Sequence, residues 1–215
     1  MIEYQELYAK PFTEILELAC SKSHVPGGGS VTAMSGALGA SMGAMVANLT
    51  LNKKGYEDVY GEVEKLLDSM TSGIEKIKIL TQQDMDAFDG VLLAYRLPKE
   101  TDNQKNIRKE EIQNAIIKAA MVPLSIAVLA NDLLFYNKRL SEIGNGSVVN
   151  DCAVACILLE STVRAAMLSV DVNFHSIEDK ELKQEIKEKK DNILSESKKT
   201  MDETLAIVAL RDKTL

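Results

Sequence analysis

The sequence predicts an all-α chain, and three observations carry that reading. Alanine, leucine, lysine and glutamate abound while β-branched alternation is scarce. Three of the four prolines, Pro11, Pro26 and Pro98, fall near apparent helix ends or turns, and only Pro123 interrupts a helical pattern. Apolar residues also recur in steps of three and four over long stretches. At 215 residues, with no internal repeat or low-complexity tract, the chain fits one domain over 1–215, large enough to bury its own core. The expected architecture is a single-domain multihelical array of long and short helices.

Helices are expected at about 3–22, 30–51, 56–96, 101–138, 150–172 and 178–212. The first begins MIEYQELYAKPF, which lacks the basic region and apolar core of a signal peptide, so a cytoplasmic protein is expected. Before the second stands the turn Gly27-Gly28-Gly29-Ser30. Three residues without a Cβ leave the backbone open to close approach. Ser30 is placed to cap the helix, whose free N–H groups and positive dipole end suit an anion or polar heteroatom. A plain passage from loop to helix explains the same residues. From Val31 to Leu49 no residue is charged, yet Gly36, Gly39, Gly43, Thr32, Ser35, Ser41 and Asn48 make a poor lipid-facing span. The segment reads as a buried helix whose small residues let another backbone come near.

The third helix carries an apolar stripe through Val63, Leu66, Leu67, Met70, Ile74 and Ile77, resuming at Phe88, Val91, Leu92 and Tyr95. Helical spacing puts Thr81 and Asp84 in the gap, so Asp84 is an inward-facing carboxylate while Asp86 projects elsewhere. Such a group either serves proton transfer or cation binding, or satisfies a helix terminus. In the fourth helix Pro123 removes a donor, kinks the chain and frees the carbonyl of Ala119. The turn Gly144-Asn145-Gly146 follows, and Asn150 or Asp151 is expected to cap the fifth helix. Glu160 and Arg164, four apart, suit a surface pair. The last helix, rich in Lys and Glu, presents a solvated face.

A net charge of −7 gives no basic field for nucleic acid or anionic membrane, and neither is expected as a partner. Cys20, Cys152 and Cys156 form no C-x-x-C pair and read as free interior thiols. His24 and His175 sit in no nucleophile motif, and no metal-ligand spacing is present.

The order PGGGSV, GALGA, MVANLT, DMDAF, LPK, VPL, GN…ND and VNF resembles the cyclodeaminase and methenyltetrahydrofolate cyclohydrolase family, from about Phe12 to Asp179. The resemblance implies an all-helical dimer that binds a tetrahydrofolate derivative, possibly polyglutamylated, in a cleft that includes the glycine turn, without a metal or further cofactor. It matches the family acid to Asp84, with Ala87 and Phe88 beside it, and a second acid to Asp151. Expected substrate contacts are Gly27, Gly28, Gly29, Ser30, Lys99, Asn145, Arg164 and Asn173, with Arg164 or Lys99 on the glutamate tail. The chain departs from the pattern at Asn150, where serine is frequent, and at Ser125, where an acid is. Two reactions fit: hydrolytic opening of the methenyl bridge to 10-formyltetrahydrofolate, or closure of formiminotetrahydrofolate with release of ammonia. A chain without a formiminotransferase half leans toward the first. A folate-binding helical protein without activity is the remaining alternative.

Overall fold

The structure is a computed structural model that describes residues 4–211. Its helices are α1 (Tyr4–Ala9), α2 (Phe12–Cys20), α3 (Gly28–Asn48), α4 (Tyr60–Tyr95), α5 (Asp102–Ile143), α6 (Asn150–Phe174) and α7 (Lys180–Arg211), with short 3-10 turns at Glu57–Val59 and Gly146–Val148. The described residues contain no strand. The first expected helix is two, because Pro11 takes an extended ψ of 140° and α2 starts afresh behind it. α5 begins on a capping box, the Thr101 hydroxyl accepting from the Gln104 N–H while the Gln104 side chain accepts from the Thr101 N–H. It continues as one helix past Pro123 to Ile143, beyond the expected end at 138. The expected outer limits at residues 3 and 212 lie outside the described residues.

Four helices close a ring. α3 packs on α4 and α6, and α5 packs on the same two from the opposite side. Neighbours run antiparallel: along α3, Gly29, Gly36 and Gly43 meet Asp84, Ile77 and Met70 of α4 in turn. On its other side α3 descends α6, where a Cβ on Gly36 would stand 3.0 Å from Thr162 and one on Gly39 would stand 3.1 Å from the Leu158 Cβ. The small residues of α3 therefore allow the close packing expected of them, against two helices at once. Gly73 of α4 does the same for α5, where its Cβ would meet Leu133 at 2.5 Å.

The core fills the ring with Met70, Ile77, Ile126, Leu133, Leu134, Leu159 and Val163, all fully buried. By length and hydropathy α3, α5 and α6 could each cross a membrane; here they pack side by side with α4 and α7. α7 runs along α5 and α6 and is tied at both ends. Lys190 pairs with Asp171 of α6, Lys138 of α5 pairs with Glu203, and the Arg211 guanidinium donates to the carbonyls of Ser141 and Gly144. Cys152 and Cys156 are buried in the ring, and burial pushes both thiols up to about 12. Cys20 is exposed, contrary to expectation, because α2 buries none of its residues.

Candidate functional site

One end of the ring brings together the start of α3, the second half of α4, the first half of α5 and the end of α6. Here the chain passes through a cis Val25–Pro26 bond and Gly27, which is the N-cap of α3 in extended backbone. Gly27 offers no side chain to the free N–H groups of the first turn. Asp84 of α4 fills that role from across the packing interface. Its Oδ2 accepts from the Ser30 hydroxyl at 2.8 Å, and the Ser30 backbone N–H lies near enough to favour the carboxylate's charge. Ser30 is therefore not the cap expected of it: it is the third helical residue, fully buried, and its hydroxyl orients the acid. A Cβ on Gly29 would overlap the Asp84 carboxylate, so only glycine lets α4 bring the acid this close.

Burial raises the Asp84 carboxyl above its usual 3.8, and the hydrogen bonds from Ser30 oppose that rise without cancelling it. The acid opens onto a cavity of about 560 Å³, in the range of small-molecule sites. The glycine turn, His24, Phe88, Val91, Ala119 and Asn173 are among its lining residues. His24 and Phe88 stand as a tilted aromatic pair with ring centroids 5.7 Å apart, forming one wall. The cavity thus offers a largely apolar chamber, one half-buried carboxylate able to carry a proton, and a helix start behind it. A smaller concavity of about 370 Å³ between α4 and α5 contains Asp132, whose carboxyl burial raises and Lys76 lowers, but no glycine turn or helix start opens into it.

The family model for formiminotransferase-cyclodeaminase matches residues 11–192. The chain belongs to this family. Its family acts on tetrahydrofolate derivatives in one-carbon chemistry. Among its relatives, the chain is similar to the methenyltetrahydrofolate cyclohydrolase of Methylorubrum extorquens, 33% identical over 85% of this chain and 88% of that one. It is 28% identical to the chicken formimidoyltransferase-cyclodeaminase over 98% of this chain, which spans 39% of that protein. The crystal structure of formiminotetrahydrofolate cyclodeaminase from Thermotoga maritima superimposes with a TM-score of 0.86, at 27% identity, over 95% of this chain and 98% of that one.

Within this cyclodeaminase-family chain the expected residues divide by place. Asp84, Gly27, Gly28, Gly29 and Asn173 line the cavity, and Ser30 holds the acid from behind. Asp151 does not join them: it opens α6, eighteen residues before the cavity residue Ser169, or about 27 Å along the helix. Neither Asn150 nor Asp151 caps that helix, since its cap position is Val149. Asn145 also belongs to the far end. It is 4% exposed, and its amide donates to the Leu49 carbonyl and accepts from the Ser147 N–H, which uses its polar atoms to tie α3 to the turn after α5. Lys99 lies in the exposed α4–α5 turn, its backbone N–H held by Glu100. Arg164 is on the outer face of α6, holding the buried Glu160 at 2.8 Å; the expected surface pair has one partner inside.

The resumed stripe on α4 does not enter the core as expected. Phe88 and Val91 wall the cavity and Tyr95 is exposed, while Met85, Ala87 and Ala94 take the buried positions. Sequence reading missed His24, Ser169 and Val172 as lining residues. For His24 the signal was its place three residues before the glycine turn; Ser169 and Val172 were marked only by standing within four residues of Asn173.

Proposed function

We propose that the chain is a 5,10-methenyltetrahydrofolate cyclohydrolase, with Asp84 as its proton carrier. The observation that supports this most is the half-buried Asp84 carboxylate, oriented by Ser30 and opening onto a cavity sized for a pterin. The end-to-end similarity to a cyclohydrolase adds to it. The methenyl bridge is a delocalised cation between N5 and N10, so a carboxylate beside it lowers the cost of binding. Water attacks the bridge carbon and Asp84 takes its proton. As the bond from carbon to N5 breaks, Asp84 returns that proton to N5, and the hydroxyl proton leaves to solvent as the formyl group forms on N10. One proton is released overall. The raised affinity of Asp84 for its proton suits a group that must accept and return it in one cycle. No further cofactor enters these steps.

The closure of formiminotetrahydrofolate, with N10 attacking the formimino carbon and ammonia leaving, asks the same of Asp84 and is favoured by the likeness to the Thermotoga maritima enzyme. Both substrates given to the purified protein decide the matter. Loss of the methenyltetrahydrofolate absorbance faster than its spontaneous hydrolysis, with no ammonia from formiminotetrahydrofolate, is the expected result. Ammonia release alone reverses the assignment. Neither reaction, with tetrahydrofolate still raising the melting temperature, makes the chain a folate-binding protein without activity. The same reading pairs two copies through the outer face of α3 and α6, where Leu38, Ile157, Leu168 and Val172 stand exposed.

A further inference from the structure

Pro123 lies inside α5, buried, and brings no N–H to the helix. The carbonyl of Ala119, one turn earlier, therefore lacks the donor that an interior carbonyl ordinarily receives. Its donor comes from another helix: the Asn173 side-chain nitrogen reaches it at 3.1 Å from the end of α6. The same nitrogen reaches the Ser169 carbonyl at 3.4 Å. Both acceptors are carbonyl oxygens, which fixes the amide nitrogen on that side and leaves Oδ1 on the other. Ala119, Ser169 and Asn173 all line the cavity that holds Asp84. A back-bond to Ser169 alone would be ordinary at a helix end; the contact with Ala119 across 54 residues is not.

We infer that Pro123 is a positioning residue for ligand recognition, freeing the Ala119 carbonyl so that it anchors the Asn173 amide with its oxygen presented to the cavity as a hydrogen-bond acceptor. The inference rests on the folate reading above and deepens it. A pterin ring carries N–H and amino donors at its edge, and an acceptor of fixed polarity recognises them, whereas a freely rotating amide would present either end. Pro123 touches no ligand. Its effect passes through two hydrogen-bonding groups and acts on binding rather than on proton transfer.

Pro123→Ala restores an N–H at 123 that competes for the Ala119 carbonyl. The expected result is a KM for methenyltetrahydrofolate raised about fivefold, the worth of one hydrogen bond, with kcat within about twofold and the helical circular dichroism retained. Asn173→Ala is expected to raise KM to a similar degree. In the double variant Pro123→Ala should then add little, because both act through one amide. Additive effects, or a KM unchanged by Pro123→Ala, overturn the inference. A readout without substrate separates this from the folate reading. The side-chain amide NMR signal of Asn173, assigned by its absence in Asn173→Ala, should move in Pro123→Ala. An unmoved signal refutes the connection between Pro123 and Asn173 whatever the protein binds. Wild-type protein that takes up no tetrahydrofolate by calorimetry instead refutes the folate reading and the acceptor role with it.

Discussion

Asp84 serves the fold and the cavity at once, and the two demands oppose each other. As a cap for α3 it should be ionised, accepting from Ser30; as a half-buried group beside an apolar chamber it resists ionisation. Burial wins, so the folded chain holds this proton more tightly than the unfolded chain does. The contribution to stability is thus complete below the ordinary 3.8 and is lost as pH rises through the higher folded value. Asp84→Asn should lower turnover by at least about a hundredfold, the scale of an acid/base group, without lowering the melting temperature at pH 7.5. By calorimetry any gain in melting temperature over wild type should shrink as the pH is taken toward 4. Turnover left intact would confine Asp84 to capping. The acid limb of kcat/KM in the wild type should likewise fall above the usual carboxylate range and vanish from residual activity in Asp84→Asn. Gly29→Ala tests the same acid from the other side, because its methyl group takes the space of the carboxylate. A displacement near 1 Å is expected to cost about a hundredfold in kcat/KM, measured beside Gly28→Ala, where no atom stands within 4 Å. Asp84 was legible in the sequence because a polar gap in an apolar stripe has a helical period. Asp151 and Asn145 were not, since position along a helix does not say which end of a bundle that helix end occupies.

α3 is built from residues too small to fill a core, and it is stable because its neighbours do the filling. Its glycines admit Thr162, Leu158 and Met70, and a Cβ on Gly39 would also come within 3.3 Å of the Ala155 carbonyl. Backbone and Cβ atoms cannot swing aside as a side-chain tip can. Gly39→Val should therefore destabilise by about 2 kcal/mol or more from overpacking, despite the better helix propensity of valine over glycine. Urea denaturation followed by circular dichroism measures it, and an unchanged midpoint would show that α3 and α6 pack more loosely than these distances require. The packing role of α3 could be read from composition alone, as could most helix limits. The split at Pro11 could not, since Leu7 is buried while α2 buries nothing, and an amphipathic pattern in residues 12–20 does not reveal whether a partner is there. The stripe from Phe88 to Tyr95 misled for the same reason: apolar residues at helical spacing line a cavity as readily as they fill a core.

At the scale of the whole molecule the ring has a chemical end and a tied end. At the tied end Thr50, Asn145, Tyr56 and Arg211 join α3, α4, α5 and α7 through backbone groups. At the chemical end the helix terminus is satisfied by an acid that also faces a ligand cavity. Between them the outer face of α3 and α6 is largely apolar, with Leu38 56%, Leu168 68% and Val172 78% exposed. Arg164 is its one exposed charge among the described residues of these two helices. A stripe of that kind running from one ring end toward the other asks for a cover. In the proposed dimer a second copy would provide one, through a two-fold contact in which each stripe meets its own kind. Leu38→Glu combined with Leu168→Glu puts a charge on both helices at positions more exposed than buried. The pair should turn a dimer into a monomer by light scattering while leaving the helical spectrum intact. Val172 also lines the cavity, so the apolar face and the cavity share a border. The monomer is accordingly expected to show a higher KM as well, with Asp84 and its hydrogen bonds undisturbed. A wild-type chain already monomeric at micromolar concentration would leave the stripe without a second copy and remove this link between assembly and binding.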